Sequence, residues 1–120
     1  MADAEALTIT TNWWGFDMVM NEKLTQDIIS GTETTGVLTG AIVTAFTYAG
    51  ILTGGLASII GGAFAVAFAA KVFEIKLVDN GNGVHWPITW PQLGLLLAST
   101  GGGIPGVVLG MMGWLHPFRM

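Results

Sequence analysis

Charged and apolar positions are distributed very unevenly along this chain. No charged residue occurs between Glu33 and Lys71, and the stretch from Thr34 to Ala70 consists of apolar, glycine, serine and threonine residues with a single tyrosine. As one continuous helix it would extend roughly 55 Å, well beyond the ~30 Å hydrocarbon core of a bilayer. The stretch is therefore too long for one ordinary membrane-spanning helix.

A chain reversal near the middle of this stretch resolves the problem of length. Thr53, Gly54 and Gly55 lie there, and glycine pairs of this kind mark turns. The pattern predicts an apolar helical hairpin with one helix from about Thr35 to Leu52 and a second from about Leu56 to Leu77.

Small residues in both predicted helices recur on one face, because successive residues of a helix are rotated by about 100°. In the first helix they are Gly36, Gly40, Thr44, Thr47, Gly50 and Gly54, and in the second they are Gly55, Ser58, Gly62, Ala65 and Ala69. The far side of the second helix carries Ile60, Phe64, Phe68 and Ile75. Flat faces let helix backbones approach closely in membranes, although tightly packed soluble helix pairs have similar stripes. We predict that the hairpin helices touch along these faces and that the same faces form the helix-packing interface.

The region before the hairpin predicts a strand and a short helix. Thr8 to Met20 is rich in β-branched, aromatic and methionine residues and alternates in polarity, which is typical of a strand. Its adjacent tryptophans, Trp13 and Trp14, have a second interpretation as markers of a membrane interface. Asn21 is a predicted N-cap and Gly31 a predicted C-terminal stop for the helix between them.

A second strand is predicted after the hairpin. The turn-forming run from Asp79 to Gly83 ends the second helix, and Val84 to Trp90 then reads as a strand whose Pro87 favours an edge position. Because the first strand enters the hairpin and the second leaves it, we predict that they pair at its open end.

From Pro91 to Met120 the chain again lacks charge until Arg119. The sequence predicts one short helix from Gln92 to Ala98, a break at the glycines that follow, and another helix from Gly106 to Leu115. Neither helix alone reaches across ~30 Å of hydrocarbon. A re-entrant segment is favoured over a single crossing, and it would bring Arg119 to the same side as Lys71.

Together these elements predict a single, mainly α domain. It comprises a polar N-terminal strand and short helix (1–33), a Gly/Ala-rich apolar helical hairpin (34–77), a turn and strand that complete a small two-stranded β element (78–91), and a broken apolar C-terminal helical segment (92–120).

Composition adds one strong constraint. The chain of 120 residues is 52% hydrophobic and 10% charged, with a mean hydropathy of +0.65. So few charges cannot coat a monomer of this hydrophobicity, and the apolar excess must face lipid or copies of the same protein. The net charge of −4 argues against nucleic-acid binding, because phosphate contacts need a basic surface. No cysteine is present, and the N-terminus lacks the features of a classical signal peptide, so membrane insertion or secretion by another route is expected.

The candidate catalytic and metal-binding motifs in the sequence are all incomplete. Gly101 to Gly106 matches the spacing of a dinucleotide-binding loop, but Pro105 removes a backbone donor and no acidic residue follows. His85 and His116 have no serine or cysteine partner in a recognisable motif, and His85 with Asp79 would supply two metal ligands at most. We therefore expect no enzymatic activity, no cofactor, no metal and no small-molecule substrate.

Two functions remain, and both require self-association. The first is a small membrane-active protein whose copies assemble through glycine faces and permeabilise a bilayer, with tryptophans at the membrane interface: Trp13, Trp14, Trp86, Trp90 and Trp114. The second is a structural subunit of a filament, tube or shell. The Gly/Ala-rich hairpin, about a third of the chain, resembles in a general way the membrane-inserting segments of pore-forming toxins and the GxxxG peptides of bacteriocins.

Overall fold

A computed structural model describes residues 6–32 and 34–120 of the chain. In chain order its elements are β1 (Leu7–Thr11), β2 (Gly15–Met20), α1 (Glu22–Ser30), α2 (Thr35–Ala49), α3 (Gly54–Ala70), α4 (Val72–Val78), β3 (Val84–Thr89), α5 (Trp90–Ala98), a 3₁₀ turn (Ser99–Gly102), α6 (Gly103–Met111) and β4 (Phe118–Arg119). The mainly α fold class is thereby confirmed.

The strands form one antiparallel sheet in the order β1-β2-β3-β4. Gly15 lies opposite Thr89 at one end of the central pair, and Met20 lies opposite Val84 at the other. The predicted pairing of the N-terminal strand region with the strand after the hairpin is confirmed for β2 and β3. The prediction of only two strands is wrong, because β1 and the short β4 extend the sheet on either side.

The predicted strand from Thr8 to Met20 is in fact a β-hairpin. Asn12 and Gly15 exchange backbone hydrogen bonds of 2.7 and 3.3 Å, and these bonds close a tight turn through both tryptophans. A β-carbon at Gly15 would collide with the carbonyl oxygen of Ile88 on β3. Glycine is therefore required at this position for close approach of β2 and β3, and the same residue closes the turn.

The predicted short helix is present as α1, with both predicted caps. The Asn21 side chain accepts a hydrogen bond of 2.9 Å from the Leu24 amide, and Gly31 ends the helix in the left-handed region at φ 77°. Leu24 and Ile28 bury its apolar edge.

The hairpin forms, but its helices end earlier than predicted. Gly50, at φ 75°, stops α2 after Ala49 rather than at Leu52. The second arm breaks at Lys71 into α3 and α4, whose axes are bent by 67°. The bend accompanies an inward turn of the Lys71 side chain, whose ammonium donates a hydrogen bond of 3.0 Å to the Met112 carbonyl.

The C-terminal segment contains two short helices, as predicted. Gly103 interrupts it at φ 68°, and the chain folds back so that Gly106 and Gly110 lie against Ser99. The helix boundaries differ from the prediction, since α5 already starts at Trp90 and α6 runs from Gly103 to Met111.

The core lies between one sheet face and the hairpin. Aromatic rings connect the layers in a chain with centroid separations of 5.7, 5.9, 5.7 and 4.4 Å, in the order Phe16, Phe46, Phe64, Phe68 and Trp86. Such ring pairs contribute packing energy beyond the area that they bury. The face of α3 that was predicted to lie away from its partner is therefore the face that the core covers.

Candidate functional site

The small-residue face of α2 points away from α3. Its members are all exposed: Gly36, Gly40, Thr44, Thr47 and Gly50. A β-carbon added at any of the three glycines would meet no atom within 4 Å. Within one chain, the prediction that the hairpin helices touch along both glycine faces is therefore wrong for α2. Its use between copies stays a prediction.

The hydroxyl groups on this face are satisfied by their own helix. Thr44 donates a hydrogen bond of 2.8 Å to the Gly40 carbonyl, and Thr47 donates one of 2.9 Å to the Val43 carbonyl. Thr39 bonds in the same way to Thr35 at 2.8 Å. Such back-bonding turns threonine methyl groups outward and leaves no hydroxyl donor free for water. The face is therefore less polar than its composition indicates.

The small-residue face of α3 is divided between core and surface. Gly62 and Ala65 are buried, whereas Gly55, Ser58 and Ala69 are exposed. A β-carbon at Gly62 would lie 2.7 Å from Cδ1 of Ile104 on α6 and 4.0 Å from Cγ2 of Thr39 on α2, so α6 packs more closely than α2 against that glycine. The small-residue face of α3 thus packs in part against α6.

Another glycine brings the two arms together. A β-carbon at Gly61 would lie 2.8 Å from Cγ2 of Val43 and 3.5 Å from its backbone nitrogen. On α2 the buried stripe facing the core is Leu38, Ile42 and Phe46. The hairpin contact therefore combines a glycine of α3 with a large-residue stripe of α2, in ordinary ridge-and-groove packing.

The five tryptophans occupy different environments. Trp13 is 91% exposed in the β1–β2 turn, and Trp14 and Trp90 lie beside it. Trp114 is half-buried at the other end of the molecule, near the end of α6. Trp86 is fully buried against Phe68, and its indole N–H has no hydrogen-bond partner among the residues that the structure describes. The prediction of Trp86 as an interfacial residue is wrong, because β3 directs it into the core.

Three tryptophans share one end of the sheet. The Trp90 amide donates a hydrogen bond of 3.1 Å to the Trp14 carbonyl, and the Trp90 indole donates one of 3.1 Å to the Asn12 carbonyl. Phe16 lies 5.8 Å from the Trp90 ring. The start of α5 is thereby tied to the β1–β2 turn.

An ionic cluster lies where α3 meets α4. The Lys71 side chain is 8% exposed, and its ammonium lies 3.4 Å from a Glu74 oxygen and 3.4 Å from Nδ1 of His116. His116 in turn lies 3.2 Å from Glu74. The predicted proximity of the C-terminal tail to Lys71 is thus present in the fold. No sequence motif marks this cluster, although a lysine at the end of an apolar helix is a signal that its side chain has a specific partner.

A second ionic pair lies on the outer face of the sheet. Nδ1 of His85 is 2.9 Å from both carboxylate oxygens of Asp17, and both side chains are partly exposed. Across residues 6–32 and 34–120, no three acidic or histidine side chains gather in a way that would hold a metal ion. Sequence reasoning missed this pair because the two residues meet only through strand register.

By length and composition alone, one stretch of the described residues is long and apolar enough to cross a membrane, although in this fold it is interrupted at Gly103 and folds back on itself. It is Trp90–Met111, of 22 residues, with a mean hydropathy of 1.6, and 17% of its most apolar part is buried. The bent pair α3 and α4 meets the same criterion only when taken together. The apolar segment at the C-terminus is therefore much less covered than α3.

No protein-family model matches this chain, and no match was found among curated proteins or solved structures.

Proposed function

We propose that this protein inserts into a lipid bilayer, assembles with copies of itself through glycine-rich helix faces and permeabilises the membrane. The observation that carries the proposal is the uncovered apolar surface of Trp90–Met111. Leu95 is 63% exposed and Leu109 is 80% exposed, in a segment without any charged residue. Soluble monomers rarely leave such a surface to water, since contiguous apolar area favours association. On this proposal the protein acts physically, without catalysis, and is membrane-bound or secreted.

The outward face of α2 supports the self-association step. Val37 is 48% exposed beside the glycines, and the threonine hydroxyls are bonded internally. A neighbouring helix can approach closely where added β-carbons would meet nothing.

The same face favours a second candidate function. Packing between copies through the outward face of α2 and through the C-terminal segment does not require lipid. Copies joined in this way would equally form the subunits of a soluble filament, tube or shell. Closed assembly between copies would remove the apolar surface from water as effectively as a bilayer does.

Purification without detergent, followed by dye release from sealed vesicles, separates these candidates. Permeabilisation predicts release of an entrapped dye and dependence on lipid for dispersal. A defined soluble polymer that releases no dye would support the structural subunit and contradict the proposal.

A matched pair of variants locates the lipid-facing surface. Leu109→Lys places a charge on the exposed side of α6 and should lower dye release severalfold, because a charged side chain is unfavourable within the apolar layer of a bilayer. Leu77→Lys, on α4 and also well exposed at 63%, is the control and should leave release nearly unchanged. Equal release by the Leu109→Lys variant and the unaltered protein would exclude α6 from the membrane.

A further inference from the structure

The described charged residues lie almost entirely at one end of the molecule. On α1, α4, the loop after α4 and the C-terminal tail they are Glu22, Lys23, Asp27, Lys71, Glu74, Lys76, Asp79 and Arg119. Their contacts draw these elements together: the Gln26 amide bonds to both Glu22 and Asp79, at 2.7 and 3.0 Å, and Arg119 bonds to the Val78 carbonyl at 3.0 Å. We call this the charged end. Asp17, the remaining described charge, is paired with His85 on the sheet.

The opposite end of the sheet carries aromatic residues and, among the described residues, no charge. The register of β2 and β3 separates the two ends, because Met20 and Val84 lie at the charged end while Gly15 and Thr89 lie at the other. Trp13, Tyr48 and Trp90 are exposed at this other end and Trp14 is half-buried beside them; we call these four residues the aromatic end. Trp13 is 91% exposed and Tyr48 is 94% exposed.

Tyr48 belongs to this end because of the packing of α2. Phe46 contacts Phe16 at a ring separation of 5.7 Å, next to the β1–β2 turn. Tyr48 follows two residues later, immediately before Gly50 ends the helix. The α2–α3 loop and the β1–β2 turn therefore lie on the same side of the core, away from α1 and α4.

We infer that the aromatic end is the surface that enters the headgroup region of a bilayer whose lipids are electrically neutral. Tryptophan and tyrosine rings are favoured at that depth because they combine apolar rings with a polar group. Burial of Trp13 there would remove from water an apolar area that is 91% exposed against the described residues. The charged end would remain in water. The inference rests on the proposed membrane function and adds the direction of approach.

Charge decides between lipid classes. The chain has a net charge of −4, so a surface of anionic headgroups would repel it, and the basic surface that usually attracts a protein to anionic lipid is missing from the aromatic end. Neutral phosphocholine headgroups impose no such repulsion.

The turn presents Trp13 on a rigid support. Its two backbone hydrogen bonds, the Trp90 bonds to Asn12 and Trp14, and the close approach of Gly15 to β3 hold the tip in one conformation. A side chain that is already fixed loses less conformational entropy when it binds.

Single-cysteine probes test the orientation directly, since the chain contains no cysteine. An environment-sensitive dye is attached at Thr11→Cys beside the turn and, in a separate variant, at Asn82→Cys at the charged end, where both residues are exposed. With phosphatidylcholine vesicles, we expect a blue shift and quenching by spin-labelled lipid at position 11 and neither change at position 82. A signal at position 82, or none at position 11 in protein that floats with vesicles, would overturn the inference while leaving the membrane function standing. Protein that neither floats with vesicles nor releases dye would overturn both.

Matched aromatic deletions provide the second readout. Trp13→Ala should weaken binding to phosphatidylcholine vesicles by about tenfold, because the indole is the most exposed ring at the tip. Phe73→Ala removes a 72% exposed ring from α4 at the charged end and should change binding by less than about twofold. Both variants should unfold at nearly the temperature of the unaltered protein, which shows that the fold is intact. A larger loss of binding for Phe73→Ala, or stronger binding to anionic than to neutral vesicles, would contradict the inference.

Discussion

The two arms of the hairpin, α2 and α3, are equally free of charge but differ greatly in burial. Nine of the 17 residues of α3 are buried, including glycines, alanines and both phenylalanines. In α2, of 15 residues, only Leu38, Ile42 and Phe46 are buried. Helix α3 lies between α2, the sheet and α6, whereas α2 lies at the margin of the core.

This difference gives glycine two roles in one hairpin. In α3, Gly61 and Gly62 make room for side chains of α2 and α6 that already occupy the space. In α2, Gly36 and Gly40 face open space, because no atom of the described residues lies within 4 Å of their added β-carbons. A glycine in a helix therefore does not by itself show that another element packs closely against it; the positions of the neighbouring atoms decide this.

The largest expected effect distinguishes the two sides of α2. Phe46→Ala should lower the free energy of unfolding by about 3–5 kcal/mol, because it removes a buried ring that contacts Phe16 and Phe64. Tyr48→Ala, on the same helix but 94% exposed, should change it by less than about 0.5 kcal/mol. Urea unfolding of both variants measures the contrast. Similar losses in the two variants would mean that Tyr48 is covered in solution.

The next effect compares buried and outward glycines. Gly62→Leu should destabilise the fold by about 1–3 kcal/mol, because its first side-chain carbon would lie 2.7 Å from Ile104. Gly40→Leu should instead leave the fold unchanged or stabilise it by about 0.5–1 kcal/mol, since glycine is unfavourable in an exposed helix. Thermal unfolding under conditions that keep the protein monomeric measures both.

The same glycine variants test assembly. If copies pack through α2, Gly40→Leu should abolish cross-linked oligomers even though the folded chain is intact. Normal assembly of the Gly40→Leu variant would exclude the α2 face as the interface. Gly62→Leu cannot serve alone for this purpose, because loss of the fold would also remove the oligomers.

Phe64→Leu tests the large-residue face of α3. The sequence pattern places Phe64 on the far side of the second helix, away from its small-residue face, where a shorter side chain would be expected to matter little. It is fully buried between Phe46 and Phe68, so the substitution should cost about 1–2 kcal/mol. Measurement of unfolding by urea checks this value, and a loss below about 0.5 kcal/mol would indicate that the ring cluster repacks around leucine.

Helix ends and turns were predictable from sequence where a residue has a strong preference for one such position. Asn21 and Gly31 bound α1 as expected, and the glycine and asparagine turn before β3 ends the second arm. These signals depend on backbone groups a few residues away, which the sequence places unambiguously. The angular grouping of α3 was also visible, but the sequence could not show which side faces the core.

Contacts that depend on tertiary register were not predictable. The turn at Trp13 was hidden within an apparently continuous strand, because the alternation of side chains continues on both sides of it. The Asp17–His85 pair and the contacts of His116 with Lys71 and Glu74 join residues that are distant in sequence. Trp86 was predicted to lie at a membrane interface, and only the pairing of β3 with neighbours on both sides shows that it faces the core.

The smallest effect separates the starts of the two hairpin helices. At the start of α2, the Thr34 hydroxyl oxygen accepts a hydrogen bond of 3.2 Å from the Val37 amide, whereas Thr53 makes no such side-chain bond at the start of α3. Thr34→Ala should therefore cost about 1 kcal/mol of unfolding free energy, and Thr53→Ala only a few tenths, about 0.3 kcal/mol. Hydrogen exchange of the Val37 amide provides a local readout, since loss of the cap should accelerate it without affecting the first turn of α3. Equal costs at both positions would mean that Thr53 also caps α3 in solution. The difference in burial between α2 and α3 would then come from packing alone and not from a difference in their N-terminal caps.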